Sequence, residues 1–163
     1  MFSEKYNEKK LKVNLKLAVQ RLKLVEKKKT EVALRARKEI ADYLRIPKVD
    51  RARIRVEHII REDCLVEALE IVEMQLDLLE ARIALISQSK QPHPSIIEAV
   101  HSVLWSYPLI SGECPELKII VDQLTKKFGK QMVAEIQNAP NPHTTTIIDI
   151  VGDISNCRLN NLS

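Results

Sequence analysis

Apolar residues recur along the first ninety positions at steps of three and four. Leu11, Leu15, Ala18, Leu22 and Val25 step by four, three, four and three, which places them on one side of a helix. Leu65, Leu69, Val72, Leu76, Leu79, Ile83 and Ile86 keep the same step through three heptads, the pattern of a long seam packed against another helix. No Gly or Pro precedes Pro47 and none lies between Pro47 and Pro92, and both stretches are rich in the helix formers Leu, Ala, Glu, Lys and Arg. Two helices of about forty residues, each about 60 Å long, are therefore expected. Pro47 marks the turn between them. A short connector between rods of that length implies an antiparallel hairpin. The pairs Glu31 with Arg35, Glu57 with Arg61 and Lys38 with Asp42, each four apart, are expected to support the exposed faces.

Beyond residue 91 the pattern is cut short. Pro92, Pro94, Pro108, Gly112, Pro115 and Gly129 divide the chain into pieces that suit short helices. Ser95 and Glu98 have the spacing of a capping box ahead of Ile97, Val100 and Leu104. Pro115 can open a helix that carries Leu117, Ile120, Val121 and Leu124 to Gly129, and a last helix is expected from Lys130 to about Asn138. The remainder, from Ala139 to Ser163, reads as a flexible tail; Ile147 to Val151 has strand character but no strand to pair with. The fold class is thus all-α: a long two-helix hairpin with shorter helices packed against it in one domain, residues 1–138, followed by the tail, residues 139–163.

Composition sharpens this picture. Only three glycines and six aromatic residues occur among 163, which disfavours sheets and glycine-lined ligand loops. No stretch approaches the ~20 apolar residues of a spanning helix, and the charged opening from Met1 to Lys12 lacks the apolar block of a signal peptide, so a soluble cytoplasmic protein is expected. Cys64, Cys114 and Cys157 are far apart and form no CxxC spacing, which suits reduced thiols. The net charge of +4 hides an asymmetry: residues 1–62 carry 19 Lys and Arg against 9 Asp and Glu, the rest 7 against 13. A basic head joined to an acidic body suits anionic partners and self-association.

Chemistry-bearing motifs are scarce. P-loop, GxGxxG, GxSxG and HExxH patterns are missing, and no cofactor is implied. The best polar cluster is Glu57, His58, Glu62 and Asp63. His58 and Glu62 share a helical face that suits a metal ion, yet a carboxylate bundle site needs ligands from more than one helix, so a salt-bridged face beside Arg55 and Arg61 is the simpler expectation. Trp105 and Tyr107 read as packing residues. The lysines say more. At 100° per residue Lys5, Lys9, Lys12, Lys16, Lys23 and Lys27 fall within an arc of about 60°, away from the apolar stripe and almost free of acidic neighbours. Such a ridge suits an acidic membrane surface or an acidic protein. A second basic cluster, Arg51, Arg53 and Arg55, follows the turn. Nucleic acid is the competing partner for a basic helix, but aromatic residues interleaved with the lysines and a recognition-helix pattern are both lacking.

The segments KVNLKLAVQRLKLVEKKKTE from Lys12, RKEIADYL from Arg37, RARIRVEHIIRED from Arg51, LVEALEIVE from Leu65, DLLEARIALI from Asp77 and VLWSYP from Val103 resemble the Increased Sodium Tolerance family. The likeness spans residues 11 to about 136. It implies an ESCRT-III fold and a non-enzymatic role in multivesicular body sorting, protein transport and cytokinetic abscission, with recruitment to endosomes and the midbody. It also implies co-assembly with charged multivesicular body proteins and regulation of the AAA ATPase that disassembles ESCRT-III filaments. The family's basic first helix falls on Lys16, Lys23 and Lys27. Its terminal MIT-binding element reads roughly Arg-Leu-x-x-Leu, which Arg158, Leu159 and Leu162 match. Ser155 stands where the family has an earlier leucine, and Ser163 where it has a basic residue.

Overall fold

Asn7 starts the first helix. Its backbone is extended (φ −128°, ψ 105°) and its side-chain oxygen accepts the Lys10 N–H at 3.0 Å, satisfying a donor that has no partner within the helix. From there α1 runs from Glu8 to Arg45, 38 residues or about 57 Å. Ile46, Pro47 and Lys48 turn the chain, closed by the Lys48 N–H donating to the Tyr43 carbonyl at 2.9 Å. The second rod, α2 (Val49–Ala81), returns antiparallel to α1 and is followed by α3 (Ile83–Gln88), α4 (Ile97–Ile110), α5 (Glu116–Phe128) and α6 (Lys130–Asn138). The structure, a computed structural model, describes residues 5–138. The C-terminal segment, with Arg158, Leu159, Leu162, Cys157 and the Ile147 to Val151 stretch, lies outside the described residues.

The predicted seam is the core. Leu11, Leu15, Ala18 and Leu22 of α1 meet Leu69, Val72, Leu76 and Leu79 of α2, with Ile83 and Ile86 continuing the line into α3. Val100, Val103 and Leu104 of α4 and Leu117, Ile120 and Leu124 of α5 close over it, and Val133 and Ile136 of α6 cap the end. Trp105 and Tyr107 pack against this core. Burying a leucine or isoleucine side chain contributes about 2 kcal/mol, so this shared interior is the main source of stability. It extends along only part of the hairpin. Past Leu22 the buried apolar residues of the two rods that lie outside this core are Ala33, Ala36, Ala52, Ala68 and Ile59. The molecule therefore has a base, in which all six helices share one interior, and a two-helix arm that ends at Pro47.

Four expectations change. The second rod is not one helix of forty residues: it breaks at Arg82 (φ −113°, ψ 28°), where the guanidinium donates to the Ser95 carbonyl at 2.8 Å. Neither Pro nor Gly is present there, and the Arg82 side chain ties the break to the segment that precedes α4. Pro108 does not cut the chain but sits inside the last turn of α4. Its missing N–H would have served the Leu104 carbonyl, which instead accepts the Gln137 amide of α6 at 3.3 Å. The capping box at Ser95 does not form, because its hydroxyl is hydrogen-bonded to His93 Nδ1 at 2.8 Å and α4 starts without a side-chain cap. Finally, three of the ion pairs on the arm cross between α1 and α2, Lys29 with Glu62, Arg37 with Asp63, and Arg55 with Glu39, while Arg45 pairs with Asp42 within α1. Pro115 and Gly129 behave as read. Pro115 precedes the first turn of α5, and Gly129 ends it with φ 98°, a conformation that favours glycine.

Candidate interaction surface

Because Leu11, Leu15, Ala18 and Leu22 point into the base, helical geometry turns Lys9, Lys12, Lys16, Lys23 and Lys27 outward along one edge of α1. All five are exposed. Lys5 is exposed too, but it precedes Asn7 and the first turn of α1, so the helical phase that joins the others does not reach it. The edge runs beside α2. Lys16 pairs with Glu80 at 3.5 Å and Lys23 with Glu73 at 3.4 Å, while Lys9, Lys12 and Lys27 make no ion pair among the described residues. Two of the six sequence-predicted lysines are thus partly neutralised, and three on the same face stand clear.

Beneath this edge, between α1 and α2, lies Glu26. One of its carboxyl oxygens is buried without a hydrogen bond, and its pKa is pushed up to about 7, first by burial and then by the negative charges of Glu73 and Glu70. Near neutral pH it carries only part of a charge, so it does little to offset the lysines above it.

Apolar residues border the lysines on the side away from α2. Val13, Leu17 and Leu24 are exposed on α1, and beyond them an open groove of about 310 Å³ runs between α1 and α5, lined by Leu17, Gln20, Arg21, Leu24, Val25, Lys28 and Glu116. The groove wall is held in place: Arg21 donates two hydrogen bonds to the Glu116 carboxylate, each at 2.6 Å, which holds that carboxyl below its ordinary range. Lys29 adds a second clamp, reaching Glu62 of α2 at 3.1 Å and Glu113 of the α4 to α5 loop at 3.2 Å. Burial works against its charge, but the two carboxylates outweigh it and its pKa is raised. At the start of α1 the Asn7 N–H donates to the buried Gln123 at 2.7 Å, and Lys127 lies 5.3 Å over the Tyr6 ring. These ties make the face stiff. Charge pattern alone points to the lysines and not to this apolar border, whose signal in the sequence is the four and seven spacing of Val13, Leu17 and Leu24.

The polar cluster at Glu57 and His58 comes apart in three dimensions. Glu62 is held by Lys29 and Asp63 by Arg37, so these two carboxylates serve ion pairs with α1 rather than with Arg55 and Arg61. Among the described residues no group of His, Cys, Asp or Glu side chains has the arrangement of a metal site, and no helix is long and apolar enough to cross a membrane.

Comparison with known proteins agrees with this architecture. Residues 12–151 match the Ist1 family, described as a regulator of Vps4 activity in the MVB pathway. An IST1-like protein of Dictyostelium discoideum is 36% identical over 148 residues, covering 91% of this chain and 38% of its own length. The vacuolar protein sorting-associated protein IST1 of Saccharomyces cerevisiae is 33% identical over 132 residues, covering 76% of this chain and 44% of its own. The chain thus spans about two fifths of the length of these relatives. Among solved structures, the S. cerevisiae Ist1 N-terminal domain, crystallised in complex with the Did2 MIM motif, superposes with a TM-score of 0.69 at 24% identity, over 96% of this chain and 93% of that one. Its likeness establishes the ESCRT-III-like helical fold. With a family match over most of its residues and two relatives above 30% identity, the chain belongs to the Ist1 family.

Proposed function

We propose that this chain is a non-enzymatic assembly protein that docks charged multivesicular body proteins on the lysine edge of α1 and so modulates the ESCRT disassembly ATPase in multivesicular body sorting and cytokinetic abscission. Lys9, Lys12 and Lys27 carry the reading. They are exposed cations without ion-pair partners among the described residues, set on a rod whose position is fixed by the base. An acidic amphipathic helix fits this face, with carboxylates toward the lysines and apolar residues toward Val13, Leu17 and Leu24. The family description, a regulator of Vps4 activity in the MVB pathway, and the relative's complex with the Did2 MIM motif support a protein partner from that pathway. Endosomes and the midbody are the places where such a protein acts, and co-polymerisation with its partner is the expected mode. Arg158, Leu159 and Leu162 supply the contact to MIT domains.

The double variant Lys12→Glu and Lys27→Glu tests the docking role, since neither lysine is used within the fold. Loss of co-assembly with a charged multivesicular body protein, at unchanged helix content, is the expected result, and undiminished co-assembly would remove the assignment. Removing residues 154–163 is expected to abolish binding to isolated MIT domains and to leave that co-assembly intact.

A further inference from the structure

The far end of the arm has a composition that neither the core nor the lysine edge explains. Leu44, Ile46, Val49, Ile54 and Val56 are all exposed around the Pro47 turn, with Ile46 at 57% and Ile54 at 69%. Side chains of this kind at the tip of a rod normally find cover, and here no described element reaches them. Cations surround them. Residues 44–56 hold Arg45, Lys48, Arg51, Arg53 and Arg55 against Asp50 alone, a net charge of +4. Arg55 is taken by Glu39 at 2.9 Å and Arg45 lies 3.6 Å from Asp42, but Lys48, Arg51 and Arg53 make no ion pair among the described residues. Between the two rods at this end a shallow notch of about 410 Å³ is lined by Glu39, Tyr43, Arg51, Ile54 and Arg55, so two guanidinium groups flank an open space beside exposed apolar surface.

We propose that the hairpin tip docks on an anionic lipid surface, with Ile46 and Val49 entering the headgroup boundary and Lys48, Arg51 and Arg53 meeting lipid phosphates. An apolar protein groove would cover the isoleucine and valine but has no use for three unpaired cations. A second copy meeting tip to tip would bring +4 against +4. A membrane interface serves both features at once, because basic residues gain from the negative surface potential while apolar ones leave water a few ångströms deeper. The tip also lies 19 residues beyond Lys27, about 28 Å along α1, so lipid contact there leaves the lysine edge open to a protein partner.

The test is co-sedimentation of the full chain with vesicles of phosphatidylcholine alone and of phosphatidylcholine mixed with phosphatidylserine. The intact chain is expected to pellet with the serine-containing vesicles only. Ile46→Asp with Val49→Asp, and separately Arg51→Glu with Arg53→Glu, should each weaken that binding by about tenfold or more at unchanged helix content. Lys12→Glu with Lys27→Glu should leave most of it. Tip variants that pellet like the parent chain, or loss confined to the Lys12 and Lys27 variant, would overturn the proposal. So would tip variants that dissociate an oligomer in sedimentation velocity while the parent chain ignores both kinds of vesicle, because the tip would then be a contact between copies. Each of these results is independent of whether the lysine edge binds a filament subunit.

Discussion

The base and the arm are made by the same two helices, yet they are held together by different physics. In the base, Leu15 and Leu22 interlock with Leu69 and Leu76, and three further helices shield that seam from water. In the arm the buried apolar residues are Ala33, Ala36, Ala52, Ala68 and Ile59, four small side chains and one large one that together remove little apolar area, and the remainder is left to ion pairs between helices. Cooperative stability thus belongs to the base. The arm borrows its order from helical continuity with it. A rod anchored at one end and lightly clasped at the other can hold its lysine edge still while its tip remains free to meet a surface.

Leucine truncation should separate the regions most strongly. Leu76→Ala opens a cavity in the shared core and is expected to cost about 3 kcal/mol in chemical denaturation. In the arm, Ile59 is also buried, but its buried apolar neighbours on the two rods are alanines, so Ile59→Ala should cost less, about 2 kcal/mol, and equal costs would mean that the arm has a core of its own. Glu26, one turn beyond Leu22 at the border of the two regions, sharpens the contrast through pH. Its raised pKa means that the folded chain holds the proton more tightly than the unfolded one, so its contribution is fully present below about 4.5 and is lost as pH climbs to about 7. Glu26→Gln should therefore stabilise the protein at pH 8, by on the order of 1 kcal/mol once solvent screening is allowed for, and make little difference at pH 5. Thermal melts at the two pH values check the sign. Smallest of all, Arg37→Ala removes an exposed pair with Asp63 and should shift stability by roughly 0.5 kcal/mol or less. A larger loss would show that the arm depends on its ion pairs more than its exposure suggests.

What could be read from the chain follows the same division. The base was legible because a leucine every three or four residues has one efficient way to be buried, and because Pro115 and Gly129 carry their backbone preferences with them. What periodicity does not show depends on particular side-chain partners, one of them two residues away and the others far along the chain. The second rod breaks at Arg82, which reaches Ser95, Pro108 stays helical because Gln137 answers the carbonyl it leaves open, and Ser95 gives its hydroxyl to His93 instead of a helix end. The same holds for the candidate site. Helical phase alone places Lys9, Lys12 and Lys27 on one face, but that Lys16 and Lys23 are drawn toward Glu80 and Glu73 needs the register of the hairpin. Exposure of Val13, Leu17 and Leu24 likewise follows from where α5 stops covering α1.

The most direct test is a binding titration of an acidic ESCRT-III subunit against two charge reversals of equal size, Lys12→Glu with Lys27→Glu on the edge of α1 and Arg51→Glu with Arg53→Glu at the tip. If the edge is the docking face, the first variant loses about tenfold or more in affinity and the salt dependence of binding weakens, while the second binds as the parent chain does. Equal losses from the two would reduce the edge to one part of a general positive field and contradict its assignment as a site.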